Sequence, residues 1–337
     1  MNSFVDLHVH FRQPGYSNKE TISTGGRAAV QSGYSAVVMM PNTKPALDNL
    51  ETLKTVFSYQ KFFPTLAVFA AIAMTENQEG KRISSILKNF DNLEENIKEK
   101  IVCISEDGKT LKNESLMEKI CELSKKYGLP IFDHAEPEAE IIKRDIKLVK
   151  KTGAKFHIQH VSLAESVELI REAKKKKLNI TCETAPHYFA LTKNDEVKYG
   201  GMAKMNPPLA SEKDRTKIIE GLIDGTIDAI ATDHAPHEKR IKDCLYEKAA
   251  NGVIGLETAF PIAYTTLVKG GHIPLKKLLA LMGDNPARII GFDNSKMKIN
   301  IDIKNKWLID KANFLSKSRN TPFDSWVVYG KIINENR

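Results

Sequence analysis

Cysteine is scarce in this chain, with four residues at positions 103, 121, 182 and 244 among 337. None forms a C-x-x-C pair, and such wide spacing gives no disulfide framework. Cys103 and Cys182 lie inside apolar runs and read as core. A reducing, cytoplasmic setting is the expectation. No charged-then-apolar leader opens the sequence, and no apolar run approaches the ~20 residues of a membrane span. Export and membrane insertion are therefore not expected. No glycine-rich fingerprint follows the first apolar run, which counts against dinucleotide binding. Internal repeats and low-complexity segments are also lacking. Negative charge is in modest deficit: 42 Asp and Glu stand against 50 Lys and Arg, a formal net charge of +8. The lysines are scattered, and the one dense run, Lys174 to Lys177, ends a predicted helix where cations complement the macrodipole. A solvated face explains that run without nucleic acid. The mild positive field suits an anionic small molecule.

What the chain does have is an ordinary globular composition, 42% hydrophobic and 27% charged. Its length affords a large core and suits one large domain, alone or with a small appendage. Short apolar runs rich in Val, Ile and Ala recur, as in strands buried on both faces. The pattern predicts eight strands: Phe4–Val9, Ser35–Met40, Leu66–Ala73, Ile101–Ser105, Pro130–Asp133, Lys155–Gln159, Asn179–Glu183 and Asp228–Ala231. Helical periodicity follows between them, for example over Glu114–Tyr127, Glu138–Lys151 and Ala164–Lys177. Further helices are expected near Leu256–Val268, Leu275–Met282 and Pro286–Ile290. Strands alternating with helices point to an α/β fold, a (β/α)8 TIM-like barrel over 1–295, with a doubly wound open sheet as the runner-up. Residues 296–337 are mixed and polar, with β-like pieces at Ser325–Tyr329 and Lys331–Ile333.

The chemistry-bearing residues fall at the same ends of these strands. His8 and His10 are two apart on the first strand, so their imidazoles share a face. His134 ends the fifth strand, His160 the sixth and Asp233 the eighth, and Asp107 follows the fourth. In a parallel barrel those ends carry the active site. Chance would scatter six such side chains over both rims. Imidazole with carboxylate suits zinc or a similar divalent ion. Arg12 is expected two residues past His10 on the same strand face, offering a planar fork for a carboxylate. His157 reads as packing, His272 as a surface loop residue and His234 as pointing away from Asp233. His187, past the seventh strand, reads as a residue that ties down a ligand or a loop.

Several motifs together resemble dihydroorotase, of the amidohydrolase superfamily. They are FVDLHVHFRQPG from Phe4, MPNT from Met40, Asp107-Gly108, Asp133 to Ala135, His160 to Ser162, NPPL from Asn206, TDHAPH from Thr232, GLETAFP from Gly255 and NPAR from Asn285. The resemblance covers about Phe4 to Gly291. It implies a cyclic-amide hydrolase with two divalent ions, Zn2+ by default. His8, His10 and Asp233 would bind one ion and His134 and His160 the other. Asp107 would bridge both with a hydroxide, and Asp233 would serve as general base and then acid. The Asp107-Gly108 site resembles the bacterial branch that bridges its metals with aspartate, where hydantoinases and allantoinases usually use a carboxylated lysine. Arg12, Asn42 and His237 resemble holders of the substrate carboxylate; His10, Asn206, Asn251 and Gly252 resemble further substrate contacts. The reaction implied is the reversible interconversion of L-dihydroorotate and N-carbamoyl-L-aspartate in pyrimidine synthesis. A homodimer and an association with aspartate transcarbamoylase are the protein partners suggested.

The chain departs from the family pattern in three ways. The β-sandwich built from both termini is expected only as an abbreviated remnant, with Thr321-Pro322-Phe323 part of it. The segment between His134 and His160 is short. Ala210 stands where arginine is common, and Asn251 where an aromatic often precedes the glycine. Two other readings compete: another cyclic ureide hydrolase, such as a hydantoinase or allantoinase, and a catalytically silent partner of the transcarbamoylase. Silent relatives usually lose metal ligands, and this chain keeps all six.

Overall fold

The computed structural model describes residues 1–333. Eight parallel strands stand in sequence order: β1 (Phe4–Val9), β2 (Tyr34–Met39), β3 (Ala67–Ala73), β4 (Ile101–Ser105), β5 (Ile131–Asp133), β6 (Phe156–Ile158), β7 (Ile180–Thr184) and β8 (Ala229–Ile230). The (β/α)8 architecture expected from the alternation is the one observed, with strand boundaries within two residues of the expected ones. The seam between β8 and β1 is closed differently from the rest. Val9 bridges His234, and the His10 N–H donates to the His234 carbonyl at 2.9 Å. Below that bridge the Asp6 side chain replaces the ladder, accepting from Thr232 N at 3.0 Å and from its hydroxyl.

Capping chemistry sets the long outer helices. Asn113 caps Glu114–Tyr127 by accepting from Leu116 N, and Gly128 ends it at φ 72°. Ser211 and Asp214 form a capping box at the start of Glu212–Asp224, which Gly225 ends at φ 84°. Helix Glu138–Thr152 stops at Gly153, φ 73°. These tight left-handed stops return the chain to the next strand in a few residues. The connections after the strands are therefore the ones free to build a rim.

The core has two layers. Ile, Leu and Phe side chains fill the space between strands and helices, while inside the barrel sit Val5, Leu7, Ala36, Val38, Ala71, Cys103, Phe132, Ala229 and Ala231. On β1 the inward set changes partway. Val5 and Leu7 belong to the inner cluster, Val9 and Phe11 to the outer one, and the pairing with β2 shifts register between Asp6 and Val9. That slip turns His8 and His10 inward above an apolar floor.

After Asp233 the chain makes helices Ala259–Ala263, Leu275–Leu279 and Asn285–Ile290; the first two continue as wider π-helical turns over Tyr264–Lys269 and Ala280–Asp284. The tail forms two small antiparallel pairs: β9 (Asn300–Asp302) with β12 (Lys331–Ile333), and β10 (Trp307–Leu308) with β11 (Val327–Val328). It buries Ile309, Phe314, Phe323 and Val328 in a satellite cluster with Tyr188, Met205 and Val253 beside the rim. The last four residues of the segment expected over 296–337 lie outside the described ones. Among the described residues no helix is long and apolar enough to cross a membrane.

Candidate metal centre

The six expected ligands converge at the C-terminal ends of the strands. His8 Nε2 lies 3.3 Å from Asp107 Oδ1 and 3.6 Å from Asp233 Oδ1. His10 Nε2 lies 3.2 Å from Asp233 Oδ1 and 3.5 Å from Asp107 Oδ2. On the other side, His134 Nδ1 is 3.5 Å and His160 Nε2 3.7 Å from Asp107 Oδ1, and these two nitrogens are 2.9 Å apart. Asp107 thus sits among all four imidazoles.

These spacings fit a cation. Ligands about 2.0–2.1 Å from a tetrahedral zinc are ~3.3 Å from each other. Two groups, His8 with Asp107 and His160, and His8 with His10 and Asp233, have donor atoms all within 4.8 Å of one another, every residue buried. His8 Nε2 is buried without a hydrogen-bond partner, although it faces both carboxylates. Burial alone would disfavour charge on His8, yet the two carboxylates hold its pKa well above the ordinary value. Asp107 is held well below its ordinary range, because the imidazoles outweigh the cost of burial. His134 rises to about 9 against burial, through Asp107 and Glu136. Asp233 is likewise depressed, its burial overcome by His8 and His10. The pocket has the field of a site built for positive charge.

Ring orientation comes from partners below and beside the ligands. His8 Nδ1–H donates to Glu183 Oε1 at 3.0 Å, and His10 Nδ1–H to Asn42 Oδ1 at 2.9 Å. Each bond leaves Nε2 as the ring atom that faces the carboxylates. Glu183 is fully buried on β7; its other oxygen accepts from His157 Nε2 at 3.2 Å, and these bonds outweigh desolvation to bring it to about 2. The expectation that His157 is plain packing is therefore corrected: it points into the barrel, where its Nδ1 also meets Thr181 Oγ1 at 2.8 Å. Sequence reasoning missed Glu183. The available signal was the alternation in Ile180-Thr-Cys-Glu-Thr184, which puts Thr181 and Glu183 on the face opposite Ile180 and Cys182.

All the expected substrate contacts line one cavity of about 210 Å³, together with His10, Asp107, His134, His160 and Asp233. Besides His10, they are Arg12, Asn42, Asn206, His237, Asn251 and Gly252. His8 lies beneath, fully buried. Arg12 arrives by a route other than the one expected. β1 ends at Val9, and Arg12 adopts φ 60°, so a left-handed turn rather than the strand face aims it inward. Its Nε donates to Pro236 O at 3.3 Å, and its Nη2 lies 3.4 Å from His237 Nε2. Burial lowers Arg12 to about 10; burial and the neighbouring guanidinium lower His237 to about 2. Asn206 Nδ2 lies 3.2 Å from His134 Nε2. His187 meets Tyr188 edge to face, fully buried, and burial holds it neutral with a pKa of about 4. His234 points at Glu20 and accepts from Gly255 N at 3.2 Å, away from the cluster as expected, and His272 is exposed.

An eight-stranded parallel barrel with buried histidines and carboxylates at one rim defines a metal-dependent hydrolase class, and the amidohydrolase family model matches residues 1–300: the chain belongs to that family. Within it the chain sides with the dihydroorotases. The dihydroorotase of Ruminiclostridium cellulolyticum is 37% identical over 362 residues, covering 97% of this chain and 83% of its own. That of a Thermoanaerobacter species is 39% identical, covering 98% and 82%. Among solved structures, the L-hydantoinase (dihydropyrimidinase) from Arthrobacter aurescens superposes with a TM-score of 0.84 over 98% of this chain and 82% of its own. At 23% identity it shares the fold.

Proposed function

We propose that this chain catalyses the reversible hydrolysis of L-dihydroorotate to N-carbamoyl-L-aspartate in de novo pyrimidine biosynthesis. The observation that carries this reading is Asp107 among four imidazoles, in one cavity with the Arg12 fork. The cavity is smaller than the roughly 300–1,000 Å³ of sites for drug-sized ligands, which suits one small cyclic ureide. Two divalent ions, zinc by donor chemistry, would be held by His8, His10 and Asp233 and by His134 and His160, with Asp107 shared. Such ions, when bound, polarise a carbonyl and ease loss of a proton from water.

The remaining roles belong to side chains. Arg12 stays cationic and presents two N–H groups to the substrate carboxylate. His237, held neutral, adds a hydrogen bond without like-charge repulsion toward Arg12. Asn42, Asn206, Asn251 and Gly252 bound the ring. Asp233 stays ionised, so its carboxylate can take the proton of the attacking water and return it to the ring nitrogen as the carbon–nitrogen bond breaks. Residues 1–295 act as the barrel and the segment from 296 onward as a reduced β appendage, docked on it through residues up to 333. The same reading gives a cytoplasmic setting, with a second copy of the chain or an aspartate transcarbamoylase as protein partners. Size-exclusion chromatography, alone and with a transcarbamoylase, tests both.

The direct test measures bound metal and ring opening of dihydroorotate and hydantoin in the native protein and in Asp233→Asn. The native protein should hold metal and open dihydroorotate; the variant should lose at least ~100-fold in kcat. Opening of hydantoin but not dihydroorotate would overturn the substrate assignment. Full rate in Asp233→Asn would overturn the acid–base role.

A further inference from the structure

One side of the cavity mouth is made of two backbone segments outside the barrel strands, 234–237 and 250–254. They pair through one bridge, His234 with Val253, where Ala235 N donates to Val253 O at 2.8 Å, and the His237 ring also meets the Asn251 backbone. One side chain from the tail ties both. Asn320, 2% exposed, accepts the His237 N–H on Oδ1 at 3.0 Å. Its Nδ2 donates to Ala235 O and to Gly252 O, each at 3.0 Å, and its carbonyl accepts from Ile254 N at 3.0 Å. Asn320 itself does not line the cavity.

The two segments are held with no slack. Gly252 has φ 128°, and a Cβ there would stand 2.7 Å from Ala235 Cβ and 3.3 Å from His237 Cδ2. From the outer side Lys242 Nζ donates to Lys204 O at 2.8 Å and Ala250 O at 2.9 Å, and Gly252 N donates to Lys204 O at 2.9 Å. Those bonds anchor 250–252 to the neighbouring rim loop; among the described residues, Asn320 is the side chain from outside the two segments that bonds to both.

We infer that Asn320 is a positioning residue for substrate binding: it fixes the spacing between His237 and the Asn251–Gly252 turn. The short C-terminal segment thereby forms part of the binding machinery for an anionic cyclic ureide. This rests on the proposed function, in which His237 and Gly252 meet substrate. Because Asn320 touches no metal-ligand candidate, its effect falls on binding rather than on the hydrolytic step.

The experiment compares the native protein with Asn320→Ala and Asn320→Asp. The aspartate keeps the acceptor for His237 N–H and loses both donated bonds, so it carries the test if the alanine variant does not fold. KM for dihydroorotate should rise roughly tenfold or more, with kcat within about twofold and bound metal equal to the native protein. Hydrogen exchange should quicken in peptides spanning 235–254 and not in the barrel strands. Unchanged KM with quickened exchange would make Asn320 a stabilising residue only and overturn the inference. A matched loss of kcat and metal would overturn it too, by placing the effect at the metal centre. If the native protein fails to open dihydroorotate, the functional reading falls and the substrate role of Asn320 with it; the structural half of the inference, that Asn320 fixes the spacing of the two segments, is still decided by exchange: unchanged protection at 235–254 overturns it, and local loss supports it.

Discussion

Glu183 carries a ligand candidate on one oxygen and a second histidine on the other, at the top of the inner core. Replacing it with Gln removes the charge and sets an amide N–H₂ against one of two ring nitrogens. Metal affinity of Glu183→Gln should fall about 10–100-fold, read by competition with a chromophoric chelator. Unaltered affinity would mean that Gln159, whose Nε2 lies 3.2 Å from the same His8 Nδ1, sets the ring instead. The ligand candidates themselves were legible because each follows an apolar run and ligand chemistry needs few residue types. Their supports were not. Glu183 and His157 sit inside runs whose partners are about 25 to 175 residues away, and a hydrogen bond across a barrel leaves no local spacing. Arg12 shows the converse: the residue was legible and its path was not, since a left-handed turn at a non-glycine position has no strong sequence mark.

At the scale of elements, apolar runs gave all eight strands, and helical periodicity gave the helices over Glu114–Tyr127, Glu138–Lys151 and Ala164–Lys177 to within two residues. The slip on β1 escaped notice because Val5, Leu7 and Val9 are equally apolar, and only packing shows which face each one takes. The π-helical continuations after Ala263 and Leu279 escaped for a similar reason: their side-chain pattern still reads as helix. The segment 238–250 carries a testable electrostatic feature. Lys242 is fully buried, and burial, then Lys204, lowers its pKa to about 7. Unfolded, a lysine titrates near ~10.4. Between those values the unfolded chain binds the extra proton, so this group makes stability rise with pH from about 7 to ~10. Below that window both states are protonated and its slope vanishes. Thermal melting of native protein and Lys242→Met across pH 6–10 checks this: the difference between the two curves should grow in favour of the native protein above about 7. Parallel curves would show that the two carbonyl acceptors keep the ammonium charged.

For the whole molecule, the barrel was evident from order and length, while the tail looked polar and reduced. Its polar sequence hides anchors. Ile309, Phe314, Phe323 and Val328 are spaced irregularly, so no period betrays them, yet together they cover the rim helices. Phe323→Ala should cost about 3–5 kcal/mol in denaturant unfolding, the usual range for a fully buried phenylalanine, by leaving a cavity under Trp326. A loss under about 1 kcal/mol would mean that the appendage unfolds apart from the barrel.

The seam where Asp6 and Val9 meet Thr232 and His234 joins the first strand to the last. It also makes the Asp233 half of the candidate metal centre a late event in the life of the chain. His10 must wait for Asp233, 223 residues further on, before the group they form with His8 is complete. During synthesis the N-terminal strand leaves the ribosome long before its neighbour exists. An ion that needs both cannot template the early strands; it can only lock a barrel that has already shut. Only the second donor group therefore reports closure: a chain stopped short of Asp233 already has His8, Asp107 and His160 but lacks the His8, His10 and Asp233 group that joins its two ends.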